Sequence, residues 1–486
     1  MKIPEKGMAK EKIFNTLAGY KGEDLDWKSG RVLGYIYYPG EKAHDVIDEA
    51  YTMFLTENAL DPTTFPSTLR LENEVVGMTA NLLQGGQEVV GNFTSGGTES
   101  LILAVKTARD HARATKPHIQ EPEMVMPVTA HASFYKAAHY LDVKPVVTSV
   151  HADSFLADVD AMGDAITDNT ILLVGSAPGY AHGIVDPISE IAKLAQKNNL
   201  LCHVDGCVGG IHLSYMRKLG YPVPEFDFSI PGVTSISADL HKYGYAAKGA
   251  SVILYKNKEL RKHQIFACSR WTGYTVINAA VTSSKTAGPM AAAWAVMNYL
   301  GDEGYCEIVR EVMEATRLVI DGINGIDGVE VLGEPNMCMF AFASTSEKIN
   351  VYRLADVLKK KGWYVQPQFA RANSPANLHI SMNRATVHQA QTFLHDLENA
   401  IEELKQEEIS NEARELRAEL DKLSIKFDDA TFLKLTEMAG VTGTELPDKM
   451  ETINQIMEVL PYDVSEWILI EYLNNLMVPA TGECHG

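Results

Sequence analysis

Between about residues 60 and 300 the chain alternates short apolar runs with stretches of helical periodicity. The runs MVMPV (124–128), KPVVTSV (144–150), TILLVGS (170–176), LLCHVDG (200–206), VTSISA (233–238) and ASVILYK (250–256) predict strands. ESLILAVKTARDHARA (99–114), DVDAMGDAITDN (158–169) and PISEIAKLAQKNN (187–199) predict helices, the last opening with Pro187, which suits a first turn. Such alternation predicts a mainly parallel sheet covered by helices on both faces. A long helical stretch rich in Ala and Met follows, from Gly288 to about Gly322. After it, segments at 328–344, 350–362, 363–369, 376–383 and 386–406 predict strand, helix, strand, strand, helix, a compact α+β domain. The expected organisation is an N-terminal segment 1–60 that partly contacts a second copy, a large α/β domain 61–300, a small α+β domain 301–404 and an acidic helical extension 405–486. In that extension WILIEYLNNLMV (467–478) is apolar enough to need a surface, and either its own domain or a second copy would serve.

Composition narrows the class. A chain of 486 residues that is 46% apolar can bury a large core. Its 63 acidic against 43 basic residues give a formal charge of −20, a field that repels nucleic-acid phosphates and anionic lipid, so no nucleic-acid partner is expected. Cysteines 202, 207, 268, 306, 338 and 484 are scattered without paired spacing, which fits a reducing cytoplasm. MKIPEKGMAKEKIF carries no export signal, and no run of about 18 apolar residues predicts a membrane span. Cys484 and His485 have no second ligand pair nearby, so no metal is expected.

Three signals carry chemistry. Thr94-Ser95-Gly96-Gly97-Thr98-Glu99 follows an apolar run and opens a helix, where free backbone N–H groups and hydroxyls suit a phosphate. Neither G-x-G-x-x-G nor G-K-[ST] is present, which argues against dinucleotides and nucleoside triphosphates. Taken alone, such a turn is more often only a turn with a helix cap. Asp205, in His203-Val204-Asp205-Gly206-Cys207, ends a central strand, where ligands dock in open α/β sheets; it could hold a pyridinium nitrogen or merely cap its turn. Lys242, in Ser237-Ala238-Asp239-Leu240-His241-Lys242-Tyr243-Gly244, lies between two buried runs, and an ammonium there needs a lowered pKa or covalent engagement, such as a Schiff base. Phosphate turn, strand-end Asp and buried Lys occur in the order that a pyridoxal-5′-phosphate (PLP) site of the aspartate-aminotransferase architecture requires. A PLP-fold scaffold without activity would tolerate loss of Lys242 or Asp205, and both are present.

TSGGTES, AHASFYKAAHY, HGIVDPI, HVDGCVGG and ISADLHKYGYAAKGASVILY resemble the group II pyridoxal-dependent decarboxylase superfamily, and within it the sphingosine-1-phosphate lyase branch, from about Ile3 to residue 400. The resemblance implies a fold-type I PLP-dependent transferase fold. It implies that Lys242 carries the cofactor with His241 beside it, that Asp205 pairs with the pyridine nitrogen, and that His131 stacks on the ring. Ser95, Gly96, Gly97 and Thr98 would hold the cofactor phosphate with help from Ser237, and Ser284 would reach it from a loop lent by the neighbouring subunit of a homodimer. His131 could also be a structural histidine at a strand end. A substrate phosphate would meet Tyr37 and Lys248. Three positions depart from the branch: Asp61-Pro62 stands for His-Pro, 283–288 reads Ser-Ser-Lys-Thr-Ala-Gly for Gly-Ser-Arg-Pro-Gly-Gly, and Val276 replaces a tyrosine. An Asp61 carboxylate next to Lys248 would weaken that lysine's pull on a phosphate. The implied reaction on a small-molecule amine is retro-aldol cleavage of a long-chain base phosphate to an aldehyde and phosphoethanolamine. The alternative is decarboxylation of an α-amino acid.

Overall fold

The structure is a computed structural model that describes residues 2–407, 427–441 and 446–479. A seven-stranded sheet organises the large domain: β1 (Val90–Thr94), β2 (Glu123–Pro127), β3 (Lys144–Thr148), β4 (Thr170–Ser176), β5 (Leu201–Asp205), β6 (Ser235–Asp239) and β7 (Ser251–Tyr255). Their order is β1-β7-β6-β5-β4-β2-β3. The five strands from β3 to β6 are parallel, and β7 runs antiparallel to both β6 and β1. Every residue of β4 and β7 is buried, so TILLVGS and SVILY read as continuous runs rather than alternating ones. The C-terminal ends of β5 and β6 therefore emerge side by side at one edge of the sheet, with the start of the Gly97–Thr115 helix opposite them.

A short exposed hairpin, β8 (Phe266–Cys268) and β9 (Val276–Asn278), follows. The helix Gly288–Asn324 then crosses from the large domain to the small one and breaks at Gly301, whose φ of 56° is left-handed. The small domain is an antiparallel sheet of β10 (Val329–Val331), β11 (Met339–Ser344), β12 (Gln366–Gln368) and β13 (Asn377–Ser381), ordered β10-β11-β13-β12, with helices Val351–Lys360 and Ala390–Gln406.

Two local expectations change. The stretch 158–169 is helical only over Val159–Asp164, because Thr167 turns the chain instead: its N–H donates to Thr170 Oγ1 at 2.9 Å and its hydroxyl accepts from the Asn169 amide. The expected single strand at 328–344 is two strands, β10 and β11, which pair with each other across the turn between them. Among the described residues no helix is long and apolar enough to cross a membrane.

The N-terminal segment belongs to the small domain from Arg31 onward. Leu33 N–H donates to Tyr364 O and Leu33 O accepts from Ser381 N–H, each at 2.9 Å, while the Arg31 guanidinium lies 5.0 Å over Trp363. This docking carries Tyr37 to within 5.0 Å of the Tyr243 ring in the large domain. By contrast, the helix Lys10–Lys21 buries none of its residues.

Helices Asp429–Met438, Glu451–Val459 and Tyr462–Leu476 gather around Leu435, Ile456, Leu460, Val464 and Ile468. The last helix thus turns one face of the 467–478 stretch inward, while Leu469, Ile470, Leu473 and Leu476 stay exposed. Cys484 and His485 lie outside the described residues. The small domain grips the middle helix at both ends: Asp356 accepts from the amides of Met450 and Glu451 at 3.0 Å, and Arg371 donates to the carbonyls of Met457 and Glu458. Asp356→Ala removes a cap worth about 1 kcal/mol. Limited proteolysis is expected to release the C-terminal helices several-fold faster while the body stays intact; an unchanged cleavage rate would mean that Asp356 is not the anchor.

Candidate active site

At the C-terminal edge of the sheet a cavity of about 350 Å³ is lined by Ser95, Gly96, Gly97, Thr98, His131, Tyr180, Asp205, Cys207, Asp239, His241 and Lys242. Eight of the residues singled out in the sequence meet there. The helix Gly97–Thr115 starts at this wall, so its first N–H groups, which have no partners within the helix, are available to an anion. Glu99 fixes the turn: its carboxylate accepts from Ser95 N–H at 2.6 Å and from the Ser95 hydroxyl at 2.7 Å. Gly97 must be glycine because a Cβ would come within 2.8 Å of Asp239 Oδ2 and 2.9 Å of Cys207 Sγ.

Asp205 ends β5 buried. Its Oδ1 accepts from the Cys207 amide at 3.0 Å, as the turn-capping alternative anticipates, yet the residue also lines the cavity. Ser237, expected at the phosphate, faces elsewhere. It is fully buried on β6 and does not line the cavity: its hydroxyl lies 3.2 Å from Cys207 Sγ and 3.4 Å from both Asp205 Oδ1 and His203 Nε2, and the cavity wall there is made by Asp205 and Cys207 instead. His131 stands at the rim, where its Nδ1 accepts from the Ser133 amide at 3.1 Å.

Asp239, quoted in the motif without a role, is the residue that the sequence reading missed. It ends β6 with its carboxylate buried, Oδ2 3.0 Å from Lys242 Nζ and 3.5 Å from His241 Nε2, and Oδ1 without a hydrogen-bond partner among the described residues. His241 Nδ1 accepts from the Ala250 amide at 3.1 Å, which directs Nε2–H at Asp239. Burial would raise the Asp239 pKa, but Lys242 and then His241 hold it well below the ordinary carboxylate range. For Lys242 burial pulls downward and Asp239 more than reverses it, so the ammonium form is favoured. The spacing of Asp239 and Lys242 around a strand end was the available signal. Tyr180, also unforeseen, lines the same cavity just past β4, stacks on His379 at 4.4 Å and donates to Gln366 Oε1 at 2.7 Å.

Lys248 lies 4.8 Å over the Tyr37 ring, with Nζ 3.4 Å from the carbonyls of Tyr35 and His241. Burial and then the nearby Lys242 lower its pKa. Burial likewise pushes Tyr37 up to about 12. The expected pairing of Asp61 with Lys248 does not form within the chain. Asp61 is exposed and spends its carboxylate on the Thr63 amide and hydroxyl, at 2.8 and 2.7 Å, in the turn before the helix Pro66–Leu82. It lines a different cavity, of about 600 Å³, together with Tyr274, Val276, Ser283 and Lys285. All three departures from the branch thus border one cavity, and Ser284 is exposed beside it.

A lysine, a strand-end carboxylate and a glycine turn at this edge of a seven-stranded sheet define an aspartate-aminotransferase-like enzyme that uses PLP. The residues fit that cofactor: the cavity has room for it, anion donors line one wall, and a buried carboxylate oxygen on Asp239 is left for a further donor. The description "Pyridoxal-dependent decarboxylase conserved domain" matches residues 26–345, and "Pyridoxal-dependent enzyme, C-terminal putative HTH domain" matches 411–475. A curated "Sphingosine-1-phosphate lyase" from Oryza sativa is 41% identical over 83% of this chain and 74% of its own length. The solved structure of a Burkholderia pseudomallei sphingosine-1-phosphate lyase superposes with a TM-score of 0.79 at 34% identity, covering 88% of this chain and 97% of that one. A "Probable L-aspartate decarboxylase" from Pyrococcus abyssi is 32% identical over 82% of this chain and 99% of its own. The chain belongs to the pyridoxal-dependent decarboxylase family.

Replacing Asp239 by Asn removes the largest influence that keeps Lys242 an ammonium and leaves burial opposed only by the smaller effects of Cys207 and Tyr37. In the cofactor-free protein, the midpoint pH for labelling of Lys242 by an amine-reactive reagent, read by peptide mass spectrometry, is expected to fall by at least one unit. A midpoint that stays put would show that Asp239 does not control Lys242.

Proposed function

We propose that the chain is a carbon–carbon lyase of the sphingosine-1-phosphate lyase type, cleaving a phosphorylated long-chain amino alcohol to an aldehyde and phosphoethanolamine. The observation that carries this beyond the family is Lys248: an ammonium seated over Tyr37 and next to Lys242, with no acidic partner among the described residues, suits a substrate phosphate.

Bound PLP supplies an electron sink for the carbon that bears the substrate's amine. Lys242 would attach the cofactor, Asp205 would pair with its ring nitrogen and keep that nitrogen protonated, and His131 would stack on the ring. The amides of Gly96, Gly97 and Thr98 would hold the cofactor phosphate, with Ser95 held in the turn by Glu99 and His241 turned to Asp239 beside it, and Ser237 steadies Asp205 from below. Asp239 would pair with the Lys242 ammonium when the lysine is free of the cofactor, so that Nζ would hold a proton to give to the substrate carbon. Either bond choice needs that proton, so this arrangement serves the lyase and the decarboxylase alike.

The active enzyme is a homodimer with shared sites. Phe14, Leu17, Trp271, Tyr274 and Ile277 are exposed apolar side chains on the N-terminal helix and around the hairpin, and the separate cavity bearing Asp61, Val276 and Ser283 makes sense as a wall lent to the partner. Ser284 would meet the partner's cofactor from there. Cysteines 202, 207, 268, 306 and 338 are free, which supports a cytoplasmic setting. The acidic balance of 411–475 and the docking of its helices on Asp356 and Arg371 favour a packing role over nucleic-acid binding.

The alternative, decarboxylation of an α-amino acid, is favoured by the departures at Asp61 and Val276 and by the archaeal relative. Holoenzyme given phosphosphinganine and a panel of amino acids separates the two. The expected products are a long-chain aldehyde and no CO2, with Lys248→Ala losing at least about 100-fold of turnover and keeping the cofactor's absorbance. Release of CO2 from an amino acid without aldehyde formation would assign the decarboxylase instead.

A further inference from the structure

At the opposite, N-terminal edge of the large sheet lies a second cavity, of about 520 Å³, that the proposed reaction does not use. Its floor is apolar, formed by Ala112, Ile171, Leu200, Leu201 and Leu260, and its rim is cationic. Lys116, Lys256 and Lys262 line it, together with the imidazoles of His111 and His263, whose rings meet edge to face at 5.2 Å; Lys116 Nζ donates to the Asn199 carbonyl at 2.8 Å. Such a concentration of positive charge is unusual in a chain of net charge −20.

The local acids cancel only part of it. Glu259, which also lines the cavity, pairs with Lys262 and offsets that charge, while Asp110 is shared by Lys106, Arg109 and Arg113. Lys256 has no acidic partner among the described residues, and neither imidazole makes a hydrogen bond with the rest of the described chain. Lys116 and Lys256, with no acidic partner among the described residues, disfavour a cation here, and the described residues place no group of three metal-ligating side chains together. The end of the Gly97–Thr115 helix contributes a weak opposing dipole, which the nearby lysines outweigh.

We propose that this cleft is a second ligand site, roughly the length of β5 away from the cofactor cavity, that binds a small phosphate-bearing molecule with an apolar part. Lys256, His111 and His263 grip the phosphate while the floor of Leu200, Leu201 and Leu260 takes the rest. A linkage to pH follows from the groups that face each imidazole. Burial lowers the His111 pKa first, followed by His263, Lys116, Lys256 and Lys262. His263 is likewise lowered by burial and then Lys262, with Lys106 adding to this and Asp110 and Glu259 opposing it. An anion seated among these cations reverses their part of the effect, so binding takes up protons and tightens as pH falls.

The test is calorimetric titration of the holoenzyme, whose cofactor already fills the glycine turn. Phenyl phosphate is the probe for affinity, and phenyl sulfate, whose charge is fixed between pH 5.5 and 8, is the probe for linkage. Phenyl phosphate is expected to bind at least threefold tighter than inorganic phosphate, and phenyl sulfate to tighten at least threefold from pH 7.5 to 5.5. The double variant Lys256→Ala/His263→Ala should weaken phenyl phosphate tenfold or more without changing cofactor absorbance or turnover, and Lys248→Ala should leave this binding intact. Absence of saturable binding, or binding lost with Lys248→Ala and kept in the double variant, overturns the proposal.

Discussion

A lysine brought into the wall of a buried cavity needs a counter-ion, and the pairing of Lys242 with Asp239 is the interaction on which the site depends. Removing one member of such a buried pair typically costs about 3–5 kcal/mol, because the survivor is left charged without water. Here the requirement fixes geometry. Asp239 closes β6 and Lys242 follows three residues later, so the strand end and the turn must keep one shape for the 3.0 Å contact to persist. The antiparallel β7 locks that shape from the other side, with the amides of Leu240 and His241 both donating to Ala250 O. Gly97 belongs to the same constraint, since any side chain there would press on the Asp239 carboxylate.

The rest of the large domain brings further groups to that pair. Parallel strands release their C-terminal ends at one edge, which puts Asp205 beside Asp239 and Tyr180 one strand further along. The small domain contributes from a distance. It docks the 31–33 segment, so Tyr37 reaches Tyr243 and Lys248, and it supplies Gln366 and His379 to hold the Tyr180 ring. The same small domain anchors the C-terminal helices through Asp356 and Arg371, and the loop bearing Arg371 also borders a cavity shared with His131 and Tyr180.

Much of this was legible in the sequence because buried parallel strands leave short apolar runs, and six of the seven large-sheet strands were read from such runs. The glycine turn, Asp205 and Lys242 were visible for the same reason, each being a polar group at the end of an apolar run. What escaped depends on side-chain direction. Ser237 sits in the same run as Asp239, but two positions along a strand point to the same face only in general, and the turn after Asp239 decides which of them reaches the cavity. Asp61 and Lys248 are neighbours only by the resemblance, whereas the chain sets Asp61 in the cavity beside Val276, tied to Thr63, and Lys248 over the Tyr37 ring. Short turns built on side-chain hydrogen bonds, as at Thr167, leave no mark in hydrophobic periodicity.

The central claim is that the lysine beside Asp239 is the one that holds the cofactor. Treating the PLP-loaded protein with borohydride makes the link permanent, and digestion followed by mass spectrometry then identifies the lysine that carries it. The account predicts the pyridoxyl mass on the peptide containing Lys242, at that residue, in close to one copy per chain. A stable modification at Lys248 or any other lysine, with Lys242 unmodified, would contradict it.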